Sequence, residues 1–135
     1  GDVLDKYMEI FEKKGETKAN DWYINSKYGQ EVAENFAEFL ESKKSKFEKI
    51  KDRGKKFHYM AGTHKGFPEA ILKRVLIKDG KIGFDKVEEI GGTLNYAEPV
   101  NFMLKKDGTY QINFRNKVYD VDMEELNKLS KSNRN

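Results

Sequence analysis

Residues 100–121 read VNFMLKKDGTYQINFRNKVYDV, and this stretch decides the fold class. Within it, apolar side chains alternate with polar ones in successive runs, and a period of two residues is typical of half-buried strands. The dipeptides Asp107-Gly108 and Arg115-Asn116 separate the runs, and short polar breaks of this kind close antiparallel hairpins. The stretch therefore predicts three consecutive antiparallel strands, over residues 100–104, 110–114 and 117–121.

Strand-like patterns continue upstream of this stretch. Residues 70–78 are rich in Ile, Leu and Val, and Asp79-Gly80 separates them from a second run at 81–90, which predicts another hairpin. Gly91-Gly92 ends the second run, because glycine interrupts strands. Further upstream we expect a short strand at 57–60 and a loop at 61–68.

Helical periodicity dominates the chain before residue 54. Along 2–14, apolar residues recur at intervals of three and four, Asp2 can cap the first turn, and Gly15 ends the pattern. One buried face is expected there, formed by Val3, Leu4, Tyr7, Met8 and Phe11. A polar gap and then a short helical turn at 20–26 follow. The strongest pattern runs from Val32 to Gly54, with glutamates early and lysines late, which complements the helix dipole.

The C-terminal segment predicts one more short helix, with Asp122 as its N-cap and Glu125 as the partner residue of a capping box. Runs of helices followed by runs of strands predict an α+β fold. We expect a single α+β domain over residues 1–135, in which N-terminal helices pack on one face of a curled antiparallel β-meander of about five strands. The NTF2-like and cystatin-like folds share this architecture, and the analogy rests on the order of the elements because no motif carries it.

The composition excludes several classes of site. The chain has 135 residues, of which 37% are hydrophobic, 36% charged and 13% aromatic, so we expect a core with many rings. Cysteine is absent, which excludes disulfides, thiolate metal sites and cysteine nucleophiles. No apolar run approaches the ~20 residues that a membrane-spanning helix needs. The net charge of +3 predicts a mild attraction to anionic surfaces.

The chain begins with Gly1 rather than Met, and it is rich in Lys and Asn. We expect that it begins inside a longer natural chain. The segment removed upstream would be either a targeting or membrane segment or a disordered tail. The first alternative favours a secreted or membrane-anchored bacterial protein, such as a lipoprotein, with an extracytoplasmic or cell-envelope location.

A curled sheet packed against a helix can enclose an aromatic-lined pocket. The candidate lining residues are His58, Tyr59, Tyr96, Tyr110, Tyr119 and Asp120. His58 or Asp120 would supply the polar group of the pocket, whereas the tyrosines are equally typical of core and rim positions. His58 and His64 match no compact metal-binding spacing, so we expect no metal site. Nucleophile-elbow, Walker and dinucleotide motifs are also absent, so we expect neither catalytic residues nor a cofactor.

The densest charge feature is the stretch 43–56, which reads KKSKFEKIKDRGKK. Basic residues interleaved with aromatic rings can bind lipid headgroups or nucleic acid. The same pattern is typical of a solvated helix face with a basic end, and no nucleic-acid-binding motif accompanies it. The candidate residues for an anionic surface are Lys43, Lys44, Lys46, Lys49, Lys51, Arg53, Lys55 and Lys56.

Three hypotheses on function follow. The leading one is a non-enzymatic interaction module whose protein partner docks on the sheet or on an exposed strand edge. Lys55 and Lys56 beside Phe57, or Lys117 beside Val118, would be typical protection of such an edge. The alternatives are an NTF2-like pocket protein that binds or converts a small ligand, and a binder of anionic surfaces or nucleic acid that uses the stretch 43–56.

Overall fold

The computed structural model describes residues 2–50, 57–61, 67–95 and 98–134. The described chain contains helices, short strands and one 3-10 helix in an α+β arrangement, as the sequence predicts. In chain order, the elements are α1 (Asp2–Lys14), α2 (Glu16–Asn25), α3 (Lys27–Ile50), β1 (Phe57–Ala61), α4 (Phe67–Val75), β2 (Leu76–Lys78), β3 (Lys81–Ile82), the 3-10 helix (Val87–Ile90), β4 (Val100–Leu104), β5 (Tyr110–Phe114), β6 (Lys117–Val121) and α5 (Met123–Arg134).

The strands form one antiparallel sheet in the order β1-β4-β5-β6-β2-β3. Its centre is the predicted meander β4-β5-β6, with the predicted strand bounds. The β2-β3 hairpin pairs with β6, and β1 pairs with β4, so the two earlier parts of the sheet extend opposite sides of the meander. The sequence predicts the strands but not this order, because local pattern carries no information on which strands pair at a distance.

The helices and the sheet share one hydrophobic core on one side of the meander. The alternate positions of β4 and β5 that face it are fully or almost fully buried, namely Val100, Phe102, Leu104, Tyr110, Ile112 and Phe114. The ring of Phe36 in α3 meets that of Phe102 edge-on, with 5.1 Å between the centroids. The hydroxyl of Tyr110 donates a hydrogen bond to the Leu40 carbonyl at 2.7 Å, which joins the sheet to α3.

Two of the hairpins close through residues in the left-handed region. Asp79 and Gly80 have φ of 52° and 78°, and Arg115 and Asn116 have φ of 52° and 64°. Positive φ at both central residues is the geometry of the two-residue turn whose twist matches that of the flanking strands. The predicted turns at 79–80 and 115–116 are therefore confirmed.

The prediction of a strand over 70–78 is wrong for most of its length. The helix α4 occupies Phe67–Val75, and only Leu76–Lys78 is a strand, so Phe67 and Pro68 also leave the predicted loop at 61–68. A short continuous apolar run does not distinguish a buried strand from a buried helix. The end signals favour the helix, because Pro68 and Glu69 suit a first turn, whereas Lys73 and Arg74 suit a last turn.

The predicted strand over 81–90 is also wrong beyond Ile82. Gly83 has φ of 75°, and a Cβ there would collide with the Lys73 carbonyl oxygen, so the chain turns away from the sheet against α4. The 3-10 helix then forms because the Glu89 carboxylate accepts hydrogen bonds from the amides of Asp85 and Lys86, at 2.9 and 3.1 Å. Gly91 ends it in the left-handed region, as the predicted break at 91–92 requires.

The predicted polar gap after the first helix is a helix. The helix α2 begins at Glu16, directly after Gly15, and ends at Asn25. The helix α3 begins at Lys27, ahead of the predicted start at Val32, so Gly29 lies in its first turns. A Cβ on Gly29 would lie 2.5 Å from the Tyr23 carbonyl oxygen. This glycine is therefore needed for the close approach of two successive helices. The predicted end of the third helix at Gly54 lies outside the described residues.

The last helix begins as predicted, because the Glu125 amide donates to the Asp122 carboxylate at 2.8 Å. The Asp122 amide donates to the Val75 carbonyl instead of completing a capping box with Glu125. The first helix has its predicted bounds, but its expected buried face is wrong: α1 has no buried residue, and Leu4, Met8 and Phe11 are exposed.

Candidate functional site

The predicted pocket residue Tyr110 belongs to the core. Its side chain is 1% exposed, and its hydroxyl is bound to the Leu40 carbonyl. Burial raises the pKa of Tyr110, and the nearby Glu41 carboxylate adds to the rise. The phenol therefore stays neutral and is already hydrogen bonded, so this position supports the fold and does not face a ligand.

Tyr119 and Asp120 lie on opposite faces of the sheet, because successive residues of a strand alternate. Tyr119 faces the core side, where its half-buried ring stacks on Phe114 with 5.1 Å between centroids. Asp120 faces outward, is exposed, and accepts a hydrogen bond from the Gln111 amide at 3.0 Å. A ligand enclosed between the sheet and the helices would thus meet Tyr119 and not Asp120.

The two proposed polar groups of the pocket lie on strands that are far apart in the sheet. His58 pairs with Met103 and Tyr59 pairs with Phe102, so both lie on β1, with β4 and β5 between them and Asp120 on β6. Three strand spacings put the backbones of His58 and Asp120 about 14 Å apart. Tyr96 and His64 lie outside the described residues.

The described part of the basic stretch is partly occupied by contacts within the protein. The Lys43 ammonium lies 5.2 Å from the centre of the Phe39 ring, and the half-buried Lys44 lies against the turn at Gly108. Lys46 is exposed. The side chain of Lys49 is not among those that the structure describes. The remaining predicted anionic-surface residues lie outside the described part of the chain: Lys51, Arg53, Lys55 and Lys56.

The strand register builds a continuous surface on the side of the sheet away from the core, which we call the outer face. One row across it follows the pairs Met103–Gln111, Gln111–Asp120, Asp120–Ile77 and Ile77–Ile82, and the next row follows Asn101–Asn113 and Asn113–Val118. Within β2 to β6, the outer-face positions are Asn101, Met103, Gln111, Asn113, Val118, Asp120, Ile77 and Ile82.

The outer face carries little charge for this protein. Charged residues make up 36% of the chain, so eight positions would hold about three of them, whereas Asp120 is the single charged residue among the eight described. Val118 and Ile82 are 55% and 50% exposed. Solvent-facing strand positions of an antiparallel sheet are ordinarily polar. The outer face combines apolar groups with side-chain amides instead.

A shallow depression lies at the end of the outer face where β6 meets the β2-β3 hairpin. Residues from the hairpin and from β6 line it: Ile77, Lys78, Asp79, Gly80, Lys117, Val118, Tyr119 and Asp120. It forms because β2 pairs only with Asp120 and Val121, which leaves the beginning of β6 without a partner on that side. Lys117 therefore borders this depression. Although β6 is an interior strand over Asp120 and Val121, its first three residues have a free edge on this side, and the predicted edge position of Lys117 beside Val118 lies there.

The described residues contain no group of three or more His, Asp or Glu side chains placed to hold a metal ion. Over the same ranges, no helix is long and apolar enough to cross a bilayer. Comparisons of the chain with family models, with curated proteins and with solved structures find no match. The outer face was not found by sequence reasoning, although the alternation in 100–121 could have identified its central positions.

Proposed function

We propose that the protein is a non-enzymatic interaction module that binds a protein partner through the outer face of its sheet. The observation that carries the proposal is the low charge of this face in a chain that is highly charged elsewhere. The cores of protein–protein interfaces are depleted in charged residues, and methionine is among the residues enriched there. Met103 and the isoleucines are suited to desolvation, and the amides of Asn101 and Asn113 can still pair with a partner.

The support under the outer face favours this role. The same strands that present it bury Phe102, Ile112 and Leu104 completely on their other side. A surface built on packed strands changes little on binding, which lowers the entropic cost of association. The proposal includes the secreted or membrane-anchored location expected from the sequence, and the partner would then be a protein of the cell envelope.

The experiment compares two charge variants in the cells that naturally make the protein. Ile82→Glu/Val118→Glu places two carboxylates at exposed positions of the outer face. Asn35→Glu/Asn127→Glu makes the same change in net charge at exposed helical positions and serves as the control. We expect the first variant alone to shift the protein from a larger complex to the size of the free chain on native size-exclusion. The proposal would be overturned if both variants and the unmodified protein all eluted at the size of the larger complex.

A second function retains one observation in its favour. Tyr119 and Asp120, two of the predicted pocket residues, both border the depression beside the β2-β3 hairpin. A small ligand with a cationic group would find the Asp120 carboxylate there. Mapping of NMR shifts with a small-amine fragment set tests this alternative, since shifts confined to 77–80 and 117–120 would support it. The anionic-surface alternative requires salt-dependent binding to anionic polymers, which a Lys46→Glu variant would weaken.

A further inference from the structure

The helix α1 is attached to the rest of the protein by one flank. Val3, Tyr7 and Ile10 are half buried, and α1 makes its contacts mainly with α2. The Tyr7 hydroxyl donates a hydrogen bond to the Asn20 amide oxygen at 3.1 Å, and the Asn20 amide nitrogen donates to the Thr93 hydroxyl at 3.3 Å. This connection fixes the rotation of α1 about its own axis, so the face that it turns outward is defined.

That outward face is apolar. Leu4, Met8 and Phe11 are 61%, 40% and 39% exposed, and their spacing of four and three residues places them in one line along the helix. We call this line the α1 stripe. A solvated helix face is ordinarily polar, and contiguous exposed apolar side chains mark interaction sites. Within the described chain the stripe has no covering element.

The stripe has an acidic border on one side. At about 100° per residue, Asp5 and Glu12 both fall next to it, on the side away from Tyr7 and α2. Glu9 is bracketed by Lys6 and Lys13 at 3.7 and 3.8 Å. No ion pair within the described ranges involves Asp5 or Glu12, so their charges are available to a partner.

We propose that the α1 stripe docks a basic amphipathic helix of another protein, whose apolar side covers Leu4, Met8 and Phe11 and whose Lys or Arg residues face Asp5 and Glu12. This is helix-to-helix recognition through anchors spaced by three and four residues. The site lies on a different element from the outer face, so the two proposals are independent.

The charge pattern selects this occupant over two others. A second copy of α1 in antiparallel contact would bring the acidic border against itself, which repels. An anionic membrane surface would repel Asp5 and Glu12, because its surface potential is negative. A basic helix is attracted by the same acidic border, and its apolar side would cover the α1 stripe.

The test uses a synthetic amphipathic peptide of about 18 residues, long enough to form a helix, with a leucine stripe bordered by lysines. Its binding to the whole chain is measured by fluorescence anisotropy beside a glutamate-bordered peptide of the same stripe. We expect the lysine peptide to bind, and Leu4→Glu/Met8→Glu to weaken binding at least about tenfold. Ile82→Glu/Val118→Glu, which disables the outer face, should leave it unchanged.

Reversal of the two border charges distinguishes charge-selective peptide binding from unselective binding to the apolar stripe. Asp5→Lys/Glu12→Lys keeps the stripe and should reverse the preference, so that the glutamate peptide binds better than the lysine peptide. Circular dichroism shows whether each variant retains its helices. Equal binding of both peptides, no loss in Leu4→Glu/Met8→Glu, or binding to lipid vesicles in place of the lysine peptide would each overturn the proposal.

Discussion

The outer face of the sheet and the α1 stripe together hold the exposed large hydrophobic side chains of the described residues: Leu4, Met8, Phe11, Ile82 and Val118. The two surfaces rest on different supports. Beneath the outer face, the sheet buries aromatic and branched side chains completely. Beneath the stripe, α1 rests on α2 through half-buried residues and through the hydrogen bond from Tyr7 to Asn20. An apolar surface can thus be part of the core scaffold or be carried by a peripheral helix, and substitutions should distinguish the two.

The largest effect is expected beneath the outer face. Phe102→Ala removes a fully buried ring that contacts Phe36, and we expect it to lower the free energy of unfolding by about 3–5 kcal/mol. Met103→Ala, the next residue on the other face, is the matched control and should cost below ~1 kcal/mol. Urea denaturation measures both. Equal costs would show that the core side and the outer side of β4 are not distinct.

A smaller effect is expected where α3 meets α2, the helix on which α1 rests. Alanine ordinarily stabilises a helix relative to glycine. Gly29→Ala should instead destabilise by about 1–3 kcal/mol, because the added Cβ would meet the Tyr23 carbonyl and force the two helices apart. Thermal unfolding gives the sign. A stabilised variant would mean that α2 and α3 do not approach closely at this point.

A still smaller effect is expected beneath the α1 stripe. Tyr7→Phe removes the hydrogen bond to Asn20 and should cost about 0.5–1.5 kcal/mol. Tyr28→Phe is the control, because no hydrogen bond of its hydroxyl is present among the described residues. In Tyr7→Phe, amide exchange should become faster in α1 and stay unchanged in β4 and β5. Faster exchange throughout the sheet would show that α1 is not peripheral.

The smallest effect concerns the 3-10 helix between these regions and depends on pH. Hydrogen bonds from the amides of Asp85 and Lys86, and then from Lys81, lower the pKa of Glu89 to about 2. Since the folded state lowers this pKa, the stabilisation is present above the ordinary value of 4.5 and is lost as the pH falls towards 2. The protection factors of the amides at 85–90, in which the intrinsic pH dependence of amide exchange is divided out, should therefore fall over this range. Glu89→Gln should abolish the dependence, and Glu88→Gln should retain it.

The sequence predicts the elements whose pattern is local and fails where distant contacts decide. Strand alternation and turn chemistry suffice for 100–121, and a cap suffices for the start of α5. The continuous apolar run 70–78 is an exception, because local end signals, Pro68 and the charges at its two ends, indicate the helix although the Ile, Leu and Val content favours a strand. The position of Tyr110 in the core and the pairing of β2 with β6 depend on the assembled sheet.

The two exposed apolar surfaces illustrate the same limit. The spacing of Leu4, Met8 and Phe11 predicts an apolar helix face, but periodicity does not state whether that face is covered. Likewise, Ile77 and Ile82 belong to the outer face only because β2 pairs with β6 and β3 pairs with β2. Both candidate sites are therefore properties of the tertiary arrangement.

Photo-crosslinking in the cells that naturally make the protein tests the central proposal most directly. A photoreactive amino acid replaces Val118 on the outer face or, as the control, the exposed Asn127 on α5. The account predicts a discrete crosslinked protein from position 118 that is absent from position 127 and disappears when Ile82→Glu is added. Identical crosslinking from both positions, or none from position 118, would contradict a protein-binding role for the outer face.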